Sequence, residues 1–350
     1  NTLRGNMNWM AARQMVMLVA HTLGISRETF DLEPVAREPL PGARLRTRAF
    51  IKVQDGCDNR CTFCITTVAR GPGRSRSLEE VLADIQAAVE GGAQEVVLTG
   101  VHLGSWGQDF SPRDSLERLV EMILHRSAVP RVRLSSLEPW DLDAQFFSLW
   151  EGEPRLCRHL HLPLQAGCDS TLRRMARKTT RRSFARLVEA ARSACPEMAI
   201  TTDLIAGFPG ETEAEFAETL AFVQAMGFAG GHIFTYSARP GTAAAEMPHQ
   251  VPHARRKERN ARLREGMETS AAVYRARFTG QVLPVLWESA AGLGPEGWEM
   301  TGLTDNYLRV FVTAPRDLWN EITPVVLGEP VAQGLQGRLV TGRAAGGGKP

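Results

Sequence analysis

From residue 49 onward, short β-branched runs alternate with longer helical patterns about six times, and no other feature restricts the fold as strongly. The strand candidates are Ala49–Val53, Glu95–Thr99, Arg131–Ser135, His159–Leu164, Ala199–Ile205 and Gly231–Tyr236, with helix candidates near 78–91, 114–126, 142–150, 169–193 and 212–226. Two helix starts carry a capping box, Ser77 with Glu80 and Thr212 with Glu215, in which a hydroxyl takes an orphan amide and a carboxylate returns the bond. Gly91 and Gly92 fit a helix stop. Repeated strand–helix alternation predicts an α/β fold with a parallel sheet and crossover helices, curved or closed. Ligands of such folds sit at the carboxyl ends of the strands.

The texture changes after a charged helical stretch, Pro252 to Phe278. Residues 281–340 have no helical period and predict five short strands, Gln281–Glu288, Trp298–Leu303, Leu308–Val312, Thr323–Leu327 and Gly334–Val340. Turn signals such as Asp305-Asn306 and Gly292-Leu293-Gly294-Pro295 separate them, and the set predicts a small all-β barrel. The expected organisation is an N-terminal helix (Met7 to Leu23) with a Pro-rich linker over 1–46, the α/β barrel over 47–278, the β-barrel over 279–343 and a flexible tail over 344–350. With 350 residues, 43% apolar and 23% charged, the composition excludes a disordered chain. No run approaches the roughly 18 apolar residues needed to span a bilayer.

Cys57-x3-Cys61-x2-Cys64 follows directly on the first strand. Three thiolates at this spacing can face one centre from a loop, and on a four-iron cluster they leave one iron open to a substrate or cofactor. Zinc is the second reading; it usually wants a fourth protein ligand, which His102 could supply. Three buried structural cysteines are the third, and the polar flanks Asp55, Asp58, Asn59 and Arg60 argue against it. Such a trio points to a reducing cytoplasm rather than to disulfides.

The segment Gln54-Asp55-Gly56-Cys57-Asp58-Asn59-Arg60-Cys61-Thr62-Phe63-Cys64 resembles the signature of radical S-adenosylmethionine methylthiotransferases. Further segments fit in order: Leu98 to Gly107, Arg133-Leu134-Ser135-Ser136-Leu137-Glu138-Pro139, His161-Leu162-Pro163-Leu164-Gln165, Asp203 to Thr212 and Tyr236 to Thr242. Gly302-Leu303-Thr304-Asp305-Asn306-Tyr307 resembles the TRAM RNA-binding domain, and the match spans about 35–340. The details look most like the MtaB-like tRNA subgroup, which modifies N6-threonylcarbamoyladenosine beside the anticodon. The resemblance implies that the α/β part is a partial (β/α)6 TIM-like barrel, with a 4Fe-4S cluster on Cys57, Cys61 and Cys64 whose open iron chelates S-adenosyl-L-methionine. One electron then breaks a sulfur–carbon bond of that cofactor, and the resulting radical takes a hydrogen from the substrate. It also implies a tRNA partner, an electron donor such as a flavodoxin or ferredoxin, a monomer and no membrane. Sister activities on isopentenyladenosine or on a ribosomal-protein aspartate remain alternatives, as does a non-catalytic RNA-binding fragment.

Thr99, Gly100 and His102 end the second strand, Ser135 and Glu138 the third and Gln165 the fourth, and Asp203 lies on the fifth; these are the expected cofactor contacts. Plainer roles stand beside them: turns for Gly100, Gly207 and Gly210, a hydrogen-bonded wall residue for His102, and packing or hydrogen bonding for His159 and His161. The family has a second cluster, held by three cysteines of an N-terminal domain, yet no cysteine precedes Cys57. The expectation is therefore one cluster on this chain, which is either a piece of a full enzyme, as the start at Asn1 suggests, or a natural variant. Cys157, Cys168 and Cys195 are expected to be ordinary buried residues.

The net charge is only +2, but it is unevenly spread. Residues 43–76 hold eight Lys/Arg against two acids, 173–186 seven against none, and 253–277 eight against three. RNA contact is expected above all for Arg173, Arg174, Arg177, Lys178, Arg181 and Arg182. In the third stretch, Glu258 with Arg262 fits an i,i+4 pair on a solvated helix face. Tyr307 and Trp298 are placed either to stack on a base or to fill the small barrel's core.

Overall fold

The computed structural model describes residues 47–340. The expected N-terminal helix, the Pro-rich linker and the tail lie outside the described residues. Strands β1 (Arg48–Asp55), β3 (Glu95–Gly100) and β4 (Arg131–Leu134) form one parallel block, with the two-residue β2 (Arg74–Ser75) antiparallel on the edge of β1. Strands β5 (His159–His161), β6 (Ala199–Ala206) and β7 (Gly230–Thr235) form a second parallel block. Isolated parallel bridges Val132–Leu156 and Ser136–His161 join β4 to β5, so the six strands make one curved partial barrel in sequence order, as expected.

Helices α1 (Thr66–Arg70), α2 (Leu78–Glu90), α3 (Leu116–Arg126), α4 (Asp169–Arg174), α5 (Arg181–Ala194), α6 (Glu213–Met226), α7 (Ala243–Glu246) and α8 (His253–Ala276) follow in chain order. Both expected capping boxes form, at Ser77–Glu80 and Thr212–Glu215. Strand alternation splits the sheet into two faces. Val96, Leu98, Val132 and Leu134 share a buried core with Ile85, Leu119 and Ile123 of the helices. The alternate residues Glu95, Thr99, Arg131, Arg133, His159, His161, Thr201 and Asp203 make the concave face polar.

Two helix expectations differ from the structure. The segment near 142–150 is a 3-10 helix, Gln145–Trp150, rather than an α-helix. Asp143 Oδ1 accepts from the amides of Gln145 and Phe146, while Phe146, Phe147 and Trp150 are buried. The single helix over 169–193 is two helices, α4 and α5. Ala176 adopts φ +54°, Ala176 N–H donates to Arg173 O, and Arg177 N–H donates to Leu172 O. This is a Schellman stop with alanine in the left-handed position usually given to glycine.

Strands β8 (Val282–Gly294), β9 (Gly297–Thr304), β10 (Arg309–Ala314), β11 (Ile322–Val331) and β12 (Gly334–Leu339) close into a barrel in the order β10-β12-β11-β8-β9. The expected four-residue turn at Gly292–Pro295 is shorter: β8 runs through Gly294, which pairs with Gly297 across Pro295-Glu296. This barrel packs on the amino ends of the half-barrel strands. Arg131 donates to Leu303 O and Pro284 O, Arg133 to Thr304 O and Asp305 O, and Arg158 bidentately to the Asp305 carboxylate. Tyr307 is neither core nor a free platform: its ring lies on His159 with centroids 4.0 Å apart and planes 4° from parallel. Trp298 packs against the small barrel's core. Among the described residues no helix is long and apolar enough to cross a membrane.

Candidate functional site

The cysteine loop leaves the carboxyl end of β1 through Gly56, at φ +73°. A Cβ there would stand 1.9 Å from Pro72 O, so only glycine fits. Gln54, the last but one residue of β1, donates through Nε2 to Asp55 O and Gly56 O and accepts the His102 amide on Oε1. One buried side chain thus ties the entrance of the loop to the end of β3. A Cβ on Gly100 would meet the same Gln54 at 3.1 Å, which explains that glycine by packing. On its far side the loop is held by α4: Thr62 N–H donates to Met175 O and Thr62 Oγ1 to Arg174 O.

All three thiols are half-buried, and each sulfur faces a donor. Asn59 N–H lies 3.4 Å from Cys57 Sγ, Thr66 N–H 3.4 Å from Cys64 Sγ and Arg177 Nη1 3.8 Å from Cys61 Sγ. Burial disfavours the Cys57 thiolate, but His102 and the Asn59 amide more than offset it and hold the thiol below its ordinary pKa. Burial raises Cys61, and Arg177 offsets only part of this. Among the described residues no three His, Cys, Asp or Glu side chains converge on a point that one ion would occupy. A four-iron cluster asks for something different, one thiolate per iron on separate corners, with donors at the sulfurs setting its potential. Three thiols in one glycine-shaped loop, each with a donor, fit that group.

His102 is buried and reaches over from β3. Its Nε2 is 2.6 Å from Asp141 Oδ2, and its ring is 3.4 Å from Asn59 Nδ2. Burial opposes the imidazolium, but Asp141 and Cys57 favour it and raise the pKa to about 9. Asp141 presses against Gly104, where a Cβ would stand 2.6 Å from its Oδ2. His102 is thus a wall residue of the site, and Asp141 and Asn59 are partners that the sequence reading passed over.

Arg177, expected to meet RNA, instead lies inward with its side chain 1% exposed. Its Nη1 and Nη2 donate to Glu138 Oε1 and Oε2 at 3.1 and 2.6 Å, Nη2 also donates to Pro163 O, and the guanidinium lies 4.4 Å from the Trp140 ring centroid. A fixed cation and a carboxylate therefore stand side by side next to Cys61. Arg174 is likewise committed, to Glu215 and Pro209 O, and Arg181 pairs with Glu218. Arg173, Lys178 and Arg182 are exposed.

The remaining expected contacts spread down the concave face. Thr99 Oγ1 donates to Ile51 O, and Ser135 N–H to Leu98 O. Gln165 adopts φ +71°, rare for glutamine, while its backbone pairs with Asp203 and Ile205. Asp203 Oδ2 lies 3.3 Å from His161 Nε2. Gly207 and Gly210 are turn residues at φ +75° and +74°. Glu211 accepts the Gly207 amide and pairs with the buried Arg259 of α8. In the same helix Arg262 bonds Glu213, and Glu258 bonds Arg255 rather than Arg262. Cys157 and Cys168 are buried and Cys195 half-buried.

Residues 51–223 match the radical SAM superfamily. The chain is 38% identical over 304 residues to the threonylcarbamoyladenosine tRNA methylthiotransferase MtaB of Bacillus subtilis, covering 86% of this chain and 67% of that protein. It is 43% identical over 244 residues to MtaB of Thermotoga maritima, covering 69% and 56%. To the tRNA-2-methylthio-N(6)-dimethylallyladenosine synthase of Anaplasma marginale it is 34% identical over 298 residues, covering 84% and 66%. The chain thus spans between about half and two thirds of the length of these relatives. With the thiol loop, the half-barrel and the ordered motifs, these likenesses show that the chain belongs to the radical SAM methylthiotransferase family.

Proposed function

We propose that this chain carries out radical S-adenosyl-L-methionine chemistry in a tRNA methylthiotransferase of the cytoplasm, adding a methylthio group to N6-threonylcarbamoyladenosine beside the anticodon. One observation carries the reading: a three-thiol loop at the carboxyl end of β1, with the Arg177–Glu138 pair at Cys61, in a chain 38% identical to a threonylcarbamoyladenosine tRNA methylthiotransferase. Cys57, Cys61 and Cys64 would hold one 4Fe-4S cluster with an iron left open, about four irons per chain. When bound, the cluster supplies the electron that splits the cofactor.

The protein's part is to place the cofactor and exclude water. Arg177 commits Nη1 and Nη2 to Glu138 and so fixes that carboxylate, which is 22% exposed and can accept from an ammonium. The ammonium of an amino acid beside Cys61 is therefore met by Glu138. His102, held by Asp141 and Gln54, walls the loop, while Thr99, Ser135, Gln165 and Asp203 line the face where the rest of the cofactor lies. Exposed Arg173, Lys178 and Arg182 neutralise tRNA phosphates. The chain acts as a monomer and takes its electron from a flavodoxin or ferredoxin.

The test is nucleoside analysis of tRNA after incubation with anaerobically reconstituted, reduced protein, S-adenosyl-L-methionine and a sulfur source. The methylthio derivative of N6-threonylcarbamoyladenosine should appear with the wild type and be absent with Cys61→Ala. Modification of isopentenyladenosine instead would favour the sister activity, which the Anaplasma marginale relative's name supports. Salt-sensitive tRNA binding without any product would favour an RNA-binding fragment, and a methylthiolated ribosomal-protein aspartate would contradict the tRNA reading.

A further inference from the structure

Parallel pairing of β5 with β6 sets His161 directly opposite Thr201, with His159 two residues below and Asp203 two above on the same concave face. One hydroxyl serves both imidazoles: Thr201 Oγ1 is 2.8 Å from His159 Nε2 and 2.9 Å from His161 Nδ1. His161 Nε2 then reaches Asp203 Oδ2 at 3.3 Å. His159 Nδ1 and Asp203 Oδ1 are buried and have no hydrogen-bond partner among the described residues.

Only one direction of donation satisfies this chain with neutral imidazoles. A carboxylate accepts only, so His161 must carry its proton on Nε2, and its Nδ1 is then an acceptor for the Thr201 hydroxyl. Thr201 Oγ1 in turn accepts from His159 Nε2–H. The opposite direction would bury an unpaired His159 Nδ1–H and turn a lone pair of His161 towards the Asp203 carboxylate. The sequence His159 → Thr201 → His161 → Asp203 therefore runs one way, and it ends on a carboxylate whose second oxygen lacks a donor.

We propose that Thr201 and His161 are positioning residues that fix the Asp203 carboxylate, which is 23% exposed, so that it accepts a hydrogen bond from a hydroxyl of the ligand bound on the concave face. This rests on the reading of that face as the cofactor site. The threonine sets the histidine tautomer, and the tautomer sets the carboxylate, so a group that never touches the cofactor governs its affinity.

The test measures S-adenosyl-L-methionine binding by equilibrium dialysis to anaerobically reconstituted protein, with iron content and cluster absorbance as controls. Thr201→Val should weaken binding by about tenfold, the effect of one charge-assisted hydrogen bond. Thr201→Ser, which keeps the hydroxyl, should stay within about threefold of the wild type. In an Asp203→Asn background, Thr201→Val should have no further effect. Unchanged affinity in Thr201→Val, or an equal loss with and without Asp203, would overturn the proposal. A second readout does not depend on the cofactor: 15N-histidine NMR should show His161 as the Nε2–H tautomer, lost in Thr201→Val. Wild type that binds no cofactor yet shows this tautomer would sink the cofactor reading and leave the relay standing. A His161 protonated on Nδ1 would sink the relay.

Discussion

The ion pair of Arg177 and Glu138 is asymmetric, and the asymmetry has a measurable consequence. Arg177 is almost wholly enclosed, whereas Glu138 is 22% exposed. Removing Glu138 leaves a buried cation short of its partner; removing Arg177 leaves a carboxylate that water can reach. Glu138→Ala should therefore destabilise the protein by about 3 kcal/mol, and Arg177→Met by less, in denaturant unfolding. The inward course of Arg177 was not legible in the sequence. The run from Arg173 to Arg186 has no acid and looks like a single solvated face. What turns Arg177 in is the left-handed Ala176, and neither glycine nor asparagine marks that stop. Burial opposes ionisation of Glu215, but Arg174, Ser170 and the Thr212 amide outweigh it and lower its pKa to about 2. A depressed carboxylate stabilises the fold above its unfolded pKa, and that contribution fades as pH falls through the folded value. The difference in melting temperature between wild type and Glu215→Gln should be full at pH 7, shrink below about pH 4.5 and be gone near pH 2.

Among the elements, the six parallel strands were legible because their β-branched runs are short and regularly spaced, and the helix starts because capping boxes are written in side chains. The 3-10 turn at Gln145–Trp150 was not, since its aromatic spacing also suits an α-helix until Asp143 takes the first amides. The thiol loop was legible as a ligand set, but not its supports, because Gln54, Asp141 and Thr62 act through contacts distant in sequence. Its shape depends most on Gly56. A methyl group there collides with Pro72 O in a conformation alanine resists, so Gly56→Ala should lose most of its reconstituted iron while keeping its far-UV circular dichroism.

At the scale of the described body, the thiol loop and the small barrel occupy opposite ends of the half-barrel. The thiol loop, Glu138 and Gln165 lie at the carboxyl ends, while the small barrel packs on the amino ends through Arg131, Arg133, Arg158 and the Tyr307–His159 stack. Tyr307 was legible as an aromatic with a task but not as a docking residue, because its partner lies on another barrel. These ties predict one cooperative unfolding transition for the described body in calorimetry. Arg158→Ala combined with Tyr307→Ala should split it in two. Under the proposed function, Cys57, Cys61 and Cys64 hold a cluster that splits S-adenosyl-L-methionine. Chromatographic detection of 5′-deoxyadenosine from anaerobic, reduced protein with that cofactor tests it most directly. The product is expected with the wild type and should be lost in Cys61→Ala; no product from a wild-type protein carrying about four irons would overturn that role for the three thiols.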